Sequence, residues 1–288
     1  MKVKLNQEIK EYCSILKLKG IRAHFEETMS EATDYEEFLH RLLTFELEEK
    51  DKRSIECRIR NSHLPYKQYL EDIEIDCLPE DMQKKLPELA TLNFIEKGKN
   101  IIMSGNPGTG KTMVSIALGL KACVAGYKVL FTTVPLLVTT LKECNSSKTL
   151  RYFENRFEKY DLVIADELGY TSFDREGTDL LFNNLSLRAA RKSTIITTNL
   201  SFERWVEVFG DPTVTSAMID RLTYKAILVD MEGDSYRLRE TLRENGASFN
   251  FEDKTVLRIP EHPDGDSGNI RTRNRRYPDT LPANLIVK

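Results

Sequence analysis

The stretch Asn100 to Thr112, NIIMSGNPGTGKT, constrains this chain more than any other. Ile101, Ile102 and Met103 form a short apolar run, and Gly105-Asn106-Pro107-Gly108-Thr109-Gly110-Lys111-Thr112 satisfies GxxxxGK[ST] in full. In such a loop successive backbone N–H groups wrap phosphate oxygens, the lysine adds a cation for the β- and γ-phosphates, and the hydroxyl can ligate Mg²⁺. The apolar run supplies a strand before the loop. Met113 to Ala125, rich in Ala, Leu and Val and free of Pro, supplies a helix after it. Strand, phosphate loop and helix in this order specify an α/β nucleoside triphosphate site, with ATP and Mg²⁺ as the expected ligands.

A second stretch completes the site. Tyr160 to Ala165 is a predicted strand ending in Asp166-Glu167, as expected of a buried parallel strand that delivers carboxylates to its C-terminal edge. Asp166 is placed to hold Mg²⁺ and Glu167 to polarise an attacking water. Between Lys111 and Asp166 there is room for a complete helix–strand–helix passage. That extra strand, with an acid directly after the magnesium aspartate, points to the ATPase branch of P-loop proteins and away from small-molecule kinases. Thr194 to Thr198 is a further strand, and Asn199 at its end is a candidate for orienting the water or the γ-phosphate.

Composition narrows the classes. Of 288 residues, 40% are hydrophobic and 30% charged, which describes a soluble globular chain of one large and one smaller domain. The net charge of −3 argues against a uniformly basic coat, so any nucleic-acid site must be local. No window offers about 18 uncharged apolar residues, and MKVKLNQEIKEYC lacks a signal-peptide core, so no membrane and a cytoplasmic location are expected. Five scattered cysteines without a CxxC pair fit reduced thiols rather than a zinc site.

The remaining chain divides as follows. Residues 1–62 carry helical periodicity and form a small helical domain. The first apolar set ends at Gly20, a second helix runs from Ile21 to about Ser30, and a third runs from about Tyr35 to Arg60 behind a Thr33-Asp34 capping signal. Phe38, Leu42, Leu43, Phe45 and Leu47 mark the third helix's apolar side, and Lys50, Lys52, Arg53, Arg58 and Arg60 its basic end. Residues 63–88, with Pro65, Pro79 and Pro87, read as a linker, and Leu89 to Lys97 as a helix leading into residues 89–243, the ATPase domain. Lys142, Lys148, Arg151 and Arg156 make a second basic stretch, on a segment expected to be helical with a break near Asn145. Short helices are expected around Trp205 and Thr215–Leu222, and a last sheet strand over 226–230. Residues 244–288, with Arg271, Arg273, Arg275 and Arg276, read as an extended or flexible tail.

Taken together, GNPGTGKT, LVIADELGY, TTNLSFERWVEVFGDP, MIDRLTYKA and GDSYRLRET resemble the IstB family, the AAA+ ATPase helpers of insertion-sequence transposases, which are related to DnaC-type helicase loaders. ILKLKGIRAHFEE, YEEFLHRLLTFELEEK and ELATLNFIEKGKNIIM extend the likeness over about residues 14–243. The resemblance implies an AAA+ fold, ATP-dependent self-assembly on duplex DNA irrespective of sequence, and activation of a partner transposase at the bound target.

Matched by position, Gly105 to Thr112 and the adjoining Met113 are the nucleotide-binding residues, and Lys111 and Thr112 are the Walker A pair. Asp166 and Glu167 match Walker B and Asn199 matches sensor I. Arg221 matches a finger reaching a neighbouring subunit's γ-phosphate in a homo-oligomer, and Arg237 matches sensor II, with Arg239 close by. Ala165 departs from the Leu common in the family. The alternative function is a helicase loader acting on single-stranded DNA.

Overall fold

The computed structural model describes residues 2–233, 235, 248–250 and 255–257. The chain divides into two compact units, Met1–Thr241 and Leu242–Lys288. The first begins with α1 (Lys2–Ile15), α2 (Lys19–Glu31) and α3 (Tyr35–Asn61), followed by two 3₁₀ turns, α4 (Glu80–Leu89) and α5 (Asn93–Glu96). The sheet strands and their helices then alternate: β1 (Ile101–Ser104), α6 (Lys111–Val124), β2 (Val129–Thr133), α7 (Val134–Ser146), α8 (Leu150–Phe157), β3 (Leu162–Leu168), α9 (Arg175–Arg188), β4 (Ser193–Thr198), α10 (Val206–Phe209), α11 (Pro212–Thr223) and β5 (Ile227–Asp230).

The five strands are all parallel in the order β2-β3-β4-β1-β5. Their apolar runs arise because both faces of the sheet are covered, so successive residues enter opposite cores. Ile101, Met103, Leu162, Ile164 and Ile195 pack with α4 and α6 on one side. Ile102, Val163, Ala165 and Ile196 pack with α7, α9, α10 and α11 on the other. Ala165 is fully buried there. The helices expected around Trp205 and Thr215 are present, and Trp205 is wholly buried between Phe202 and Phe209. Among the described residues no helix is long and apolar enough to cross a membrane.

Both flanks of the sheet are met by chain that precedes it. The Phe131 N–H of β2 donates to the Ser62 carbonyl just past α3, at 2.7 Å. On the opposite flank, Lys85 of α4 donates to the Leu228 carbonyl at 2.7 Å, and the Asp230 N–H donates to Asp81 at 2.8 Å. Lys85 and Asp81 also pair with each other.

Several expectations are corrected. Gly20 does not break a helix; it lies in the first turn of α2, where a Cβ would collide with the Phe45 carbonyl of α3, so glycine permits the two helices to touch. α1 instead stops at Ile15. Of the apolar residues expected on one side of α3, Leu42 is buried, while Leu43 and Leu47 are exposed. Of the helix expected over Leu89 to Lys97 only the short α5 is present, and a separate helix, α4, precedes it and ends at Leu89. α4 carries Pro87 inside it because Met82, Leu86 and Leu89, spaced for one helical face, are anchored in the core with β1. Ile73 and Leu78, from the stretch read as a linker, are buried in the same core. In the second unit, β6 (Ser248–Asn250) and β7 (Thr255–Leu257) pair antiparallel within the stretch expected to be a flexible tail. Arg271, Arg273, Arg275 and Arg276 lie outside the described residues.

Candidate functional site

The phosphate loop leaves β1 at Ser104 and becomes α6 at Lys111. Its entrance is tightly built. The Met231 N–H donates to the Ser104 carbonyl at 2.7 Å, and a Cβ on Gly105 would strike the Met231 backbone, so only glycine fits. Gly110, at φ +93°, turns the chain into α6 and points the helix N-terminus at the loop. Thr109 is buried and its hydroxyl donates to the Asn106 carbonyl, while Asn106 and Pro107 at the tip are exposed. Lys111 Nζ donates to the Gly105 and Asn106 carbonyls at 2.7 and 2.6 Å, which folds the cation back over the loop. Met113 is half-buried and packs against the core.

The C-terminal ends of β3 and β4 face this loop. The Thr112 hydroxyl donates to both Asp166 oxygens, at 2.9 and 3.1 Å, bringing together two motif residues 54 positions apart. Asp166 is buried and Glu167 beside it is exposed. The two differ because the β3–β4 ladder is irregular between Ala165 and Leu168, and Glu167 adopts φ +65°. Thr197 of β4, which the sequence reading passed over, bonds here as well. Its hydroxyl donates to Asp166 at 2.5 Å and accepts from the Glu167 N–H at 3.0 Å. The sequence carried no signal that singles it out, because Ser193, Thr194, Thr197 and Thr198 leave only Ile195 and Ile196 apolar in this strand.

Asn199 follows β4, and its buried Oδ1 has no hydrogen-bond partner among the described residues. Arg221 lies exposed in the last turn of α11, its guanidinium carbon 4.7 Å from the centre of the Phe182 ring on α9. Arg237 and Arg239 lie outside the described residues. Among the described residues no three His, Cys, Asp or Glu side chains gather as a metal cluster. The available oxygens are therefore the Thr112 hydroxyl and the Asp166 carboxylate. One carboxylate plus a hydroxyl, completed by waters and substrate phosphates, fits Mg²⁺ well. Cys123 on α6 is no rival centre, since burial pushes its thiol up to about 11.

The basic stretches divide on inspection. Arg53 pairs with Glu46 and Glu49 within α3, and Arg58 donates to the Cys123 carbonyl, which ties α3 to α6. Lys142 pairs with Asp174 at the start of α9. Lys50, Lys52 and Arg60, and separately Lys148, Arg151 and Arg156, are exposed.

Comparison with known proteins agrees with this geometry. Residues 13–244 match the family model of the IstB-like ATP binding protein. A protein of insertion sequence IS5376 from Geobacillus stearothermophilus, named for ATP binding, is 35% identical over 240 residues, covering 82% of this chain and 96% of the relative. The corresponding protein of insertion sequence IS21 from Pseudomonas aeruginosa is 35% identical over 237 residues, covering 81% of this chain and 89% of its own length. Among solved structures, AMPPCP-bound DnaA from Aquifex aeolicus superposes with a TM-score of 0.50 at 22% identity, over 66% of this chain and 59% of that one. That likeness is one of fold, and the fold is the AAA+ ATPase domain. A phosphate loop closed on Lys111, a threonine–aspartate pair at its mouth and a family match over most of the length lead to one assignment: the chain is an ATP-binding protein of the IstB-like family.

Proposed function

We propose that this chain is an ATPase that assembles on duplex DNA, largely without regard to sequence, and presents that DNA to the transposase of its own insertion sequence. The observation that carries the reading is the Thr112–Asp166 contact with Glu167 held outward beside it. This supports a metal held by the hydroxyl and the first carboxylate, with the second carboxylate beside them to activate a water. The relatives' names, which join ATP binding to insertion sequences, support the biological setting.

In this reading the loop amides from Gly105 to Gly110 and Lys111 hold the β- and γ-phosphates. Thr112 and Asp166 hold Mg²⁺, which neutralises charge on those phosphates. Glu167 accepts a proton from water as its oxygen bonds to the γ-phosphorus and the bond to the bridging oxygen of ADP breaks, giving ADP and phosphate. Asn199, whose buried Oδ1 lacks a partner among the described residues, orients that water or the γ-phosphate. Arg221, exposed on α11, serves a neighbouring subunit's site, so hydrolysis depends on assembly and loosens it. Arg237 is proposed from its position in the sequence alone.

Binding DNA at a net charge of −3 is feasible when many subunits each contribute a few cations. The exposed sets Lys50, Lys52, Arg60 and Lys148, Arg151, Arg156 are the candidates. The helical residues 1–62 are the proposed contact for partners.

The test is sizing of the wild-type chain and of Glu167→Gln with ATP, each with duplex and with single-stranded DNA. Large assemblies that need ATP and duplex, and that persist in Glu167→Gln, are expected. Assembly on single strands alone would instead favour a helicase loader.

A further inference from the structure

Opposite the two Walker B acids stands a single residue. Ala165 pairs with Ile196 and Leu168 with Thr198, so Asp166 and Glu167 together face Thr197. This is a β-bulge, two residues against one, and bulges re-aim side chains beside active sites. Here it sends Asp166 inward to Thr112 and Glu167 outward. The arrangement is not free, because a non-glycine residue at φ +65° costs on the order of 1 kcal/mol and its N–H has left the regular ladder.

Thr197 meets both demands with one oxygen. Its side chain is buried, with 2% of its surface exposed. The hydroxyl hydrogen is committed to the Asp166 carboxylate. The lone pair that remains receives the Glu167 N–H. Rotating the hydroxyl to serve one acid would abandon the other, and valine, which fills the same volume, would serve neither.

We propose that Thr197 is a positioning residue that fixes the direction of Glu167 relative to Asp166 and thereby sets the rate of the hydrolytic step. The inference rests on the ATPase reading above. A positioned general base contributes roughly 10²–10⁴ in rate, and misplacement by about 1 Å costs up to about 10². Nucleotide affinity comes from the loop, which Thr197 does not touch. Its loss should therefore fall on kcat and spare KM.

The experiment uses the full chain as wild type, Thr197→Val, Thr197→Ser and Glu167→Gln. Steady-state hydrolysis is followed across ATP concentrations with Mg²⁺ and duplex DNA, alongside titration with a fluorescent ATP analogue and thermal melting. Expected are a fall in kcat of about 10- to 100-fold in Thr197→Val with KM and analogue affinity within about twofold, and recovery of most of that turnover in Thr197→Ser. Wild-type turnover in Thr197→Val, or an equal loss of kcat and affinity, overturns the inference. Should Thr197→Val melt early, Thr197→Ser decides alone: it keeps the hydroxyl, and a tenfold loss of kcat in it overturns the inference too. Wild type as inactive as Glu167→Gln overturns the ATPase reading itself, a different outcome from an active Thr197→Val.

Discussion

Replacing Arg188 by methionine should cost about 3 kcal/mol of stability, although the residue touches no part of the nucleotide site. Arg188 ends α9 with 1% of its surface exposed. Its guanidinium donates to the carbonyls of Phe157, Tyr160 and Ser193 at 2.8, 3.0 and 3.1 Å and lies over the Phe157 ring. It thus binds the end of α8 and the starts of β3 and β4 at one point. Bonds from a charged donor contribute about 1.5–3 kcal/mol each. Against them stands burial, which pushes the guanidinium below its ordinary value to about 10, a penalty of about 3 kcal/mol at ~1.4 kcal/mol per pH unit.

Methionine escapes that penalty but leaves three inward carbonyls short of a donor, at about 1 kcal/mol apiece or more. For a unit of 241 residues about 3 kcal/mol corresponds to a fall in Tm of roughly 6–12 °C. Urea unfolding followed by circular dichroism should show a lower midpoint at an unchanged slope, and thermal melting the lower Tm. Arg188→Lys should also destabilise, since one ammonium cannot span three divergent carbonyls. A methionine variant that melts within about 1 °C of wild type would refute the reasoning, because it would mean that burial of the charge cancels everything its hydrogen bonds supply.

Two further outcomes follow from the helical region. Gly20→Ala places a Cβ against the Phe45 backbone and should force α2 from α3, at a cost of about 1–3 kcal/mol, so limited proteolysis should cut between residues 16 and 34 faster than in wild type; unchanged cleavage would contradict the close approach. Glu37 accepts from the Thr33 hydroxyl and amide and from Arg41, which hold its carboxyl down to about 2 from the ordinary 4.5. Because the folded value is the lower one, this tie is complete above pH 4.5 and is lost as pH falls towards 2; the Thr33 amide resonance should move with a midpoint near 2, and a midpoint near 4.5 would show the tie is absent in solution.

The legible part of the molecule was the part that chemistry fixes locally. GxxxxGK[ST] requires a loop between a strand and a helix, and the apolar runs before Asp166 and Asn199 require strands buried on both faces, so the core of the fold and most candidate site residues could be named in advance. What escaped depended on partners distant in sequence. Pro87 suggested a break, yet Met82, Leu86 and Leu89 are held by β1 strongly enough to keep the helix. Gly20 suggested a break as well, and its meaning lies 25 residues away at Phe45. Arg188 carries no mark in the sequence, and only the packing of α8 and β3 around it makes it interior. Thr197 was silent because its role needs a bulge in the neighbouring strand, which no pattern in its own strand records.

The hydrogen bonds on the two flanks of the sheet carry one more meaning. A strand with a bare flank is a template on which a second chain can lay its own strand, and parallel sheets with open flanks invite unlimited stacking. Ser62 occupies that position at β2, and the Lys85–Asp81 pair occupies it at β5. Both guards belong to the first hundred residues. Those residues therefore occupy part of each edge with hydrogen bonds of their own, which leaves less bare backbone on which a second chain could lay a strand.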